Sequence, residues 1–225
     1  MKMKVLITGC HGQLGRELVR QIRQINQRCK RFDLVATDVR DLDITDTGQV
    51  KTLVTREQPK AIINTAAFTK VDACEREELK AFQVNAVGAR NLSVAAYEIG
   101  AKVLQVSTDY VFDGAGSTPK REYDPINPLN AYGKSKALGE RMVIETNPRH
   151  FIVRTAWLYG EGHNFVRTML KLVSEQAVIR VVNDQFGSPT STVGLAQCII
   201  NLIQTEHYGI YHGTCEGVCS WYEFA

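Results

Sequence analysis

Three side chains in the middle of the chain are of types that together can move a proton. Tyr132 and Lys136 lie four residues apart in the run NAYGKSKALGE (130–140), which has a helical pattern, so both are on one helix face. A lysine cation beside a phenol favours phenolate, and we expect it to lower the pKa of Tyr132 toward working pH. Such a tyrosine can give its proton to a carbonyl oxygen as a hydride reaches the carbon, and Thr108 could hydrogen-bond that oxygen. The YxxxK spacing alone is frequent by chance, and both residues could be ordinary surface residues, so the surrounding sequence must decide.

A glycine-rich turn near the N-terminus predicts a dinucleotide site. The run TGCHGQLG places Gly9, Gly12 and Gly15 between a strand pattern, KVLITG (4–9), and a helix pattern, LGRELVRQIRQI (14–25). Glycines there permit a tight turn and let backbone N–H groups approach a pyrophosphate at the helix N-terminus. The spacing is GxxGxxG rather than GxGxxG, but the strand–turn–helix context supports the prediction.

The end of the second strand pattern, FDLVATD (32–38), bears on the choice of cofactor. An acid at Asp38 would accept hydrogen bonds from the adenosine ribose hydroxyls and repel a 2′-phosphate, which favours NADH. Arg40 could instead bind that phosphate, so NADH and NADPH both stay open. Asp38 could also merely cap a turn. Asp43 and Ile44, in RDLDIT, could flank the adenine.

Two further strand patterns end in residues suited to a ligand site. In NTAAFTKVD (64–72), the small Ala66 and Ala67 would let a cofactor pass close to the backbone, although tight helix–strand packing explains them equally well. The run STDYVFDG (107–114) presents hydroxyls and a carboxylate after a buried strand. Ligands of open α/β sheets bind at the carboxyl ends of strands, so a site is expected there.

Alternating elements must position these residues. Strand patterns at 4–9, 32–38, 61–67, 102–112 and 151–160 alternate with helical patterns at 14–25, 46–58, 72–100 and 130–146. This alternation implies parallel strands with right-handed crossovers. The strands lack polar alternation, as expected when helices cover both faces. The sequence therefore predicts an α/β fold with a doubly wound, Rossmann-like parallel sheet.

Beyond Gly160, strand and helix patterns no longer alternate as regularly. We expect a helix at 164–176, a strand at 178–182, a polar loop at 183–191, a helix at 192–204 and a strand at 209–214. These patterns suggest a cofactor-binding domain at 1–157 and a smaller substrate-binding region at 158–225 that partly returns to the sheet. Ser220 and Glu223 have capping-box spacing. Because the sequence stops two residues later, we expect a fragment, or a naturally shortened form, of a longer protein.

Composition argues against several classes of protein. The net charge is +3 and the Lys and Arg residues form no long block, which disfavours nucleic-acid binding. No apolar run approaches the roughly 18 residues of a membrane span. The six cysteines include no CxxC pair and no zinc spacing, so we expect free thiols, no metal site and a cytoplasmic protein.

Taken together, the motifs resemble the dTDP-4-dehydrorhamnose reductase family of the extended short-chain dehydrogenase/reductase superfamily. The similar runs occur in the family's order and span Gly9 to Ser191: GCHGQLG, NTAAFTKVDACE, STDYVFDG, PLNAYGKSKALGE, VRTAWLYG, NFVRTML and VNDQFGSPTS. The resemblance implies NAD(P)H-dependent reduction of the 4-keto group of dTDP-6-deoxy-L-lyxo-4-hexulose to dTDP-L-rhamnose. It leaves open whether the chain forms a homodimer.

The resemblance also implies roles for individual residues. Tyr132 would be the proton donor, Lys136 its modulator and the anchor of the nicotinamide ribose, and Thr108 the third catalytic residue. Trp157 could stack on the deoxysugar, or it could belong to the core. With Tyr132 and Lys136, the cofactor would contact Gly9, His11, Gly12, Gln13, Leu14, Gly15, Asp38, Arg40, Asp43, Ile44, Ala66, Ala67, Thr69 and Asn85. The substrate would contact Val71, Thr108, Asp109, Tyr110, Trp157, Asn164, Gln185 and Thr190.

Two other functions share many of these motifs. A non-catalytic, NADP-binding regulatory subunit like that of methionine adenosyltransferase resembles the chain in the glycine-rich loop, STDYVF and YxxxK, but RTAWLYG favours the reductase. A nucleotide-sugar epimerase or dehydratase shares the fold and the Tyr/Lys pair. A dehydratase usually has acids beside the catalytic threonine, and here no glutamate follows Asp109.

Overall fold

A parallel sheet forms the centre of the computed structural model, which describes residues 2–175 and 177–225. Its strands are β1 (Met3–Thr8), β2 (Phe32–Thr37), β3 (Ala61–Asn64), β4 (Lys102–Thr108), β5 (His150–Thr155) and β9 (Gly209–His212). They pair in parallel in the order β2-β1-β3-β4-β5-β9. Two residues lie outside the described ones. They are Met1, the first residue of the predicted domain 1–157, and Gln176, the last residue of the predicted helix 164–176.

Helices connect these strands. They are α1 (Gln13–Cys29), α2 (Thr47–Glu57), α3 (Val71–Arg76), α4 (Glu78–Phe82), a π-helix (Gln83–Gly88), α5 (Ala89–Glu98), a 3₁₀ turn (Asp109–Val111), α6 (Ala131–Thr146), α7 (Phe165–Glu175), α8 (Thr192–Leu202) and α9 (Trp221–Phe224). The short strands β6 (Leu158–Tyr159), β7 (Phe186–Gly187), β8 (Thr190–Ser191) and β10 (Cys219–Ser220) form two small sheets. Side-chain caps fix several helix starts; Asn130 Oδ1, for example, accepts a hydrogen bond from the Gly133 N–H at 2.7 Å.

Apolar side chains cover both faces of the sheet. Val5, Ile7 and Phe151 pack with Leu18 of α1 and Ile199 of α8 on one face. On the other face, residues of β1, β3 and β5 pack against α2, α5 and α6. A strand buried on both faces reads as a continuous apolar run, as the sequence showed. The predicted doubly wound α/β fold is therefore confirmed.

Several element boundaries differ from the sequence prediction. The single helix expected at 72–100 is interrupted at Glu77, and it widens into the π-helix. The strand expected at 151–160 divides into β5 and β6, because Trp157 adopts a left-handed backbone with φ of 47°. The strand predicted at 178–182 is wrong. None of the described strands pairs with these residues, and Val178 and Val182 are exposed.

The C-terminal residues pack directly on the first helix. Gln21 Nε2 of α1 donates to the Val193 carbonyl at 2.9 Å, and β9 extends the sheet beside β5. Ser220 and Glu223 form the predicted capping box at the start of α9. The domain division at residue 157 stays a prediction. Over the described residues, no helix has both the length and the apolar character needed to cross a membrane.

Candidate active site

The glycine-rich loop lies where the strand order diverges, since β1 has β2 on one side and β3 on the other. Gly9 has φ of 69°, and a Cβ there would lie 2.7 Å from the backbone nitrogen of Ala66. A Cβ on Gly15 would collide with the Gly9 carbonyl oxygen. Only glycine fits either position, so the chain folds tightly from β1 into α1.

This loop has the features that a dinucleotide requires. Gly12 begins α1 without a side-chain cap, so the first-turn N–H groups of Gln13, Leu14 and Gly15 have no intrahelical acceptor. These groups, with the positive end of the helix dipole, suit a pyrophosphate. Leu14 is 4% exposed and packs in the core, so it can contact the cofactor only through its backbone.

Asp38 is held against the loop by backbone donors. Its Oδ2 accepts a hydrogen bond from the His11 N–H at 3.0 Å, and its Oδ1 accepts one from the Val39 N–H at 2.8 Å. The possible ligand atoms of Cys10, His11 and Asp38 lie within 4.8 Å of one another. Burial, with the nearby Asp38 charge, raises the pKa of the Cys10 thiol, so the thiol stays protonated. The Asp38 carboxylate thus fixes the loop through the His11 N–H, and Arg40, two residues later, is exposed.

The remaining predicted cofactor residues differ in accessibility. Asp43 is half-buried and its Oδ1 accepts from both the N–H and the hydroxyl of Thr45. Ile44 is 5% exposed and packs against the π-helix at Gly88, which leaves only its backbone to flank an adenine. Ala66 and Ala67 are half-buried after β3, and Thr69 is exposed.

Asn85 belongs to the scaffold. Its Nδ2 donates to the Phe68 carbonyl and to Ser135 Oγ, both at 3.0 Å, and its Oδ1 accepts from the Phe68 N–H at 2.8 Å. These bonds use the amide fully and join the loop after β3 to α6. Asn85 therefore places the loop, and its predicted contact with the cofactor stays a prediction.

Thr108 and Tyr132 meet at the carboxyl edge of the sheet. Thr108 ends β4, and its hydroxyl donates to Asp109 Oδ1 at 2.9 Å while accepting from the Tyr110 N–H at 3.2 Å. Burial raises the pKa of the Tyr132 phenol, and the nearby Thr108 hydroxyl opposes that rise. The edge of the Tyr132 ring packs on Tyr110, with centroids 5.5 Å apart. The phenol therefore stays protonated at neutral pH.

Lys136 is buried one turn further along α6. It is 3% exposed, and its Nζ donates to the Val106 carbonyl at 2.6 Å. Burial lowers its pKa to about 8, and the nearby Glu140 opposes that shift. The pKa of Tyr132 is raised and not lowered, so the predicted lowering of the tyrosine pKa is wrong. Burial of the phenol outweighs the lysine charge.

A cavity of about 610 Å³ opens beside these residues. Of the predicted substrate residues, Asp109, Tyr110, Trp157 and Gln185 line it. The rest of its wall includes the loop 112–120, β7 and Trp221. Burial raises the pKa of Asp109, whose carboxylate lies between Thr108 and the cavity. The cavity therefore approaches the predicted proton donor through Tyr110, whose ring packs against that of Tyr132.

Trp157 stacks on another tryptophan within this wall. Its ring lies 3.5 Å from that of Trp221, with 9° between the planes. A Cβ on Gly187 would overlap the Trp157 indole, so that glycine allows the ring to lie flat against β7. One face of Trp157 is therefore covered by Trp221, in an arrangement the sequence did not suggest.

Four other predicted substrate residues do not line the cavity. Thr108 lies behind Asp109, and Val71 begins α3. Thr190 is 1% exposed and its hydroxyl donates to the Ser188 carbonyl at 3.0 Å. Asn164 caps α7, and its Nδ2 donates to Gln13 Oε1 at 3.1 Å. Asn164 therefore joins the C-terminal region to the glycine-rich loop, which is a scaffold role.

A buried ion pair near the site was missed in the sequence. Arg154 of β5 donates through Nε and Nη2 to the carboxylate of Glu140 on α6, with the shorter contact at 2.7 Å. The side chains are 5% and 3% exposed. The signal was present as a lone arginine inside the apolar strand FIVRT. A charge in such a strand must be paired, and this one holds α6 against β5.

Comparison with known proteins identifies close relatives. A family model described as the RmlD substrate binding domain matches residues 3–225. The spore coat polysaccharide biosynthesis protein SpsK of Bacillus subtilis (strain 168) is 46% identical over 223 residues, which are 99% of this chain and 77% of that protein. The dTDP-4-dehydrorhamnose reductase of Aggregatibacter actinomycetemcomitans is 43% identical over 229 residues, 99% of this chain and 76% of that protein.

A solved structure is similarly close. The crystal structure of dTDP-4-dehydrorhamnose reductase from Bacillus anthracis in complex with NADP matches with a TM-score of 0.94 and 46% identity. The match covers 100% of this chain and 79% of that one.

Proposed function

The chain belongs to the family of the RmlD substrate binding domain, and on that premise we propose that it is an NAD(P)H-dependent dTDP-4-dehydrorhamnose reductase. It reduces the 4-keto group of dTDP-6-deoxy-L-lyxo-4-hexulose to the hydroxyl of dTDP-L-rhamnose. One observation supports this most strongly. A protonated tyrosine lies beside the threonine hydroxyl at the carboxyl end of β4, and a buried lysine follows one turn later on the tyrosine's helix. The two residues after the threonine, Asp109 and Tyr110, line the cavity of about 610 Å³.

The protein groups divide the work of proton transfer and binding. The first-turn N–H groups of α1 would hold the dinucleotide, which would supply the hydride for C4 of the sugar. Tyr132 Oη gives its proton to the 4-keto oxygen, so that carbonyl becomes alcohol and the tyrosine is left as phenolate. The Thr108 hydroxyl orients that oxygen, and the Lys136 ammonium, near its transition from charged to neutral, stabilises the phenolate that forms.

The sugar nucleotide occupies the cavity beside the tyrosine. Asp109 and Tyr110 follow Thr108 in the chain and face the cavity, so they are placed to contact the sugar next to its reacting carbon. Trp157 offers an aromatic wall further out. Asp38 and Arg40 contact the adenosine end of the dinucleotide, which can be NADH or NADPH.

The test is oxidation of NADH and of NADPH by the wild type and by Tyr132→Phe, with the dTDP-4-keto-6-deoxy sugar as substrate. Loss of the phenolic hydroxyl should lower kcat roughly 10²–10⁴-fold, because general acid catalysis contributes that much, with cofactor affinity retained. Tyr97→Phe is the matched control, since Tyr97 is exposed on α5 and should keep full activity. Undiminished turnover in Tyr132→Phe would refute the assignment of the proton donor. Absence of turnover in the wild type would refute the reductase.

A further inference from the structure

A chain of buried hydrogen bonds crosses the sheet from the glycine-rich loop to the catalytic lysine. Thr8 Oγ1 donates to Asn64 Oδ1 at 2.6 Å, and Asn64 Nδ2 donates to Gln105 Oε1 at 2.6 Å. Gln105 Nε2 then donates to the Val106 carbonyl at 2.9 Å, the same oxygen that accepts from Lys136 Nζ at 2.6 Å. The chain thus begins at the residue before Gly9 and ends at Lys136.

The strand register places these side chains next to one another. Thr8 pairs with Asn64 across β1 and β3, and Asn64 pairs with Gln105 across β3 and β4. Directly paired residues of neighbouring strands point to the same face, so the three polar groups form a row. Each of the three is at most 2% exposed, and water cannot replace a lost partner. Breaking one bond therefore leaves a buried polar group unsatisfied.

All donors in the row point the same way. The hydroxyl of Thr8 and the amide N–H groups of Asn64 and Gln105 each aim toward Val106, so their dipoles add. Their positive ends face the site where the ammonium of Lys136 binds. The row therefore fixes the Val106 carbonyl and places positive dipole ends beside the lysine charge.

We propose that Gln105 is a positioning residue for Lys136, that it acts through the Val106 carbonyl, and that Thr8 and Asn64 hold it in place from the cofactor loop. This inference rests on the proposed role of Lys136 in binding the nicotinamide ribose. A purely structural row would stabilise the sheet and leave the lysine unaffected. The row described here instead sets where the ammonium stands and how readily it loses its proton. A change at Thr8, two strands away from β4, must then affect Lys136.

The test uses Gln105→Met, which keeps an unbranched side chain of similar length without the amide, and the isosteric Thr8→Val. NADPH binding to each protein is titrated from pH 6 to 10 by the fluorescence of the nucleotide. The wild type should lose affinity near the pKa of Lys136, at about 8. In Gln105→Met the midpoint should move up by about one pH unit, because the opposing dipole is gone and the lysine gains freedom. Thr8→Val should move it in the same direction by less.

A control separates this effect from general destabilisation. Asn147 is another buried amide, whose Nδ2 donates to the Ala101 carbonyl at 3.1 Å at the opposite end of the sheet. Asn147→Leu should lower the melting temperature and leave the pH midpoint unchanged. Equal midpoints in the wild type and Gln105→Met, or a wild type without the alkaline loss of affinity, would overturn the proposal.

Turnover distinguishes failure of this inference from failure of the proposed function. In Gln105→Met, kcat should fall roughly tenfold with the KM for the sugar unchanged, since the lysine acts on the phenol and not on the sugar. A shifted binding midpoint in a protein that does not reduce the sugar would keep the positioning role and reject the reductase. Normal turnover with an unshifted midpoint would keep the reductase function and reject the positioning role of Gln105.

Discussion

Burial acts in opposite directions on the two titratable groups that define the active site. It keeps the Tyr132 phenol protonated and favours the neutral amine of Lys136, because each side chain avoids its charged form. A protonated phenol is what a proton donor requires. The lowered pKa of Lys136 lies near working pH, so the charge of this lysine responds to charge that develops on the phenol. The sequence predicted both residues and their shared helix face, but the direction of the tyrosine shift depends on burial, which spacing alone does not reveal.

The lowered pKa of Lys136 predicts a particular pH dependence of stability. Between pH 8 and the ordinary lysine value of 10.5, the unfolded chain binds a proton that the folded chain has lost. The free energy of unfolding should therefore rise with pH in this window, by about 2 kcal/mol from pH 8 to about pH 9.5. Urea unfolding across that range measures it.

Lys136→Met supplies the comparison for this measurement. Without the titrating amine, the variant should lack that rise and be the more stable protein at pH 7, where the wild type holds a buried charge. Identical pH profiles for the two proteins would show that Lys136 has an ordinary pKa.

At the scale of elements, helix α6 depends on close backbone contact with the π-helix. A Cβ on Gly139 would overlap the Asn85 carbonyl oxygen. Gly139→Ala should destabilise the protein by about 1–3 kcal/mol, despite the higher helix propensity of alanine, because the two helices must separate. Gly194→Ala on α8 is the control, since the nearest atom to its added Cβ is 4.0 Å away. It should stabilise by up to about 1 kcal/mol in thermal or urea unfolding. Equal effects would contradict the contact.

The ion pair between α6 and β5 gives a second prediction for this helix. Glu140→Gln would leave the Arg154 guanidinium buried without a counter-charge, and unfolding free energy should fall by about 3–5 kcal/mol. The exposed pair of Arg141 and Glu145 lies on the same helix. Glu145→Gln should change stability by less than about 0.5 kcal/mol. A comparably small loss in Glu140→Gln would show that the buried pair contributes no more than a surface one.

Element boundaries were predictable where local signals determine them. The glycine turn and the capping box at Ser220 were both predicted correctly, because each is a local pattern of residue types. The strand predicted at 178–182 failed because β-branched residues form a strand only beside a partner, and partners are set by tertiary structure. The interruption between β5 and β6 at Trp157 could not be predicted either, since the sequence contains no glycine there to mark a left-handed backbone.

At the scale of the molecule, alternation of strands and helices predicted the doubly wound sheet but not the strand order. The chain adds β2 on one side of β1 and then β3 on the other side. This change of side brings Gly9 next to Ala66 and creates the crevice for the dinucleotide. The protein contacts of side chains further from this crevice were not predictable. Asn164 and Thr190 hydrogen-bond protein groups, which only the packing of the C-terminal region reveals, and their contact with substrate stays a prediction.

Burial is distributed unevenly over the molecule, and proteolysis should report it. No residue of α7 is buried, and its Arg167 and Lys171 are exposed, as is Arg180 in the segment that follows the helix. Segments with few buried contacts open at low free-energy cost. Limited trypsin digestion should therefore cut first after these three residues. Lys51 and Arg141 are also exposed but lie on α2 and α6, which pack on the sheet. Mass spectrometry showing first cleavage after either would contradict the prediction.

The stacked indoles of Trp157 and Trp221 allow ligand binding to be followed through the protein's own spectrum. The chain contains two tryptophans, and they lie face to face in the wall of the substrate cavity. Two such chromophores at van der Waals distance couple their electronic transitions, so the tryptophan bands of the near-ultraviolet circular dichroism and the tryptophan emission arise from one place. A sugar nucleotide that enters the cavity perturbs that pair and changes the spectrum. Substrate occupancy can thus be followed without a label, and without turnover.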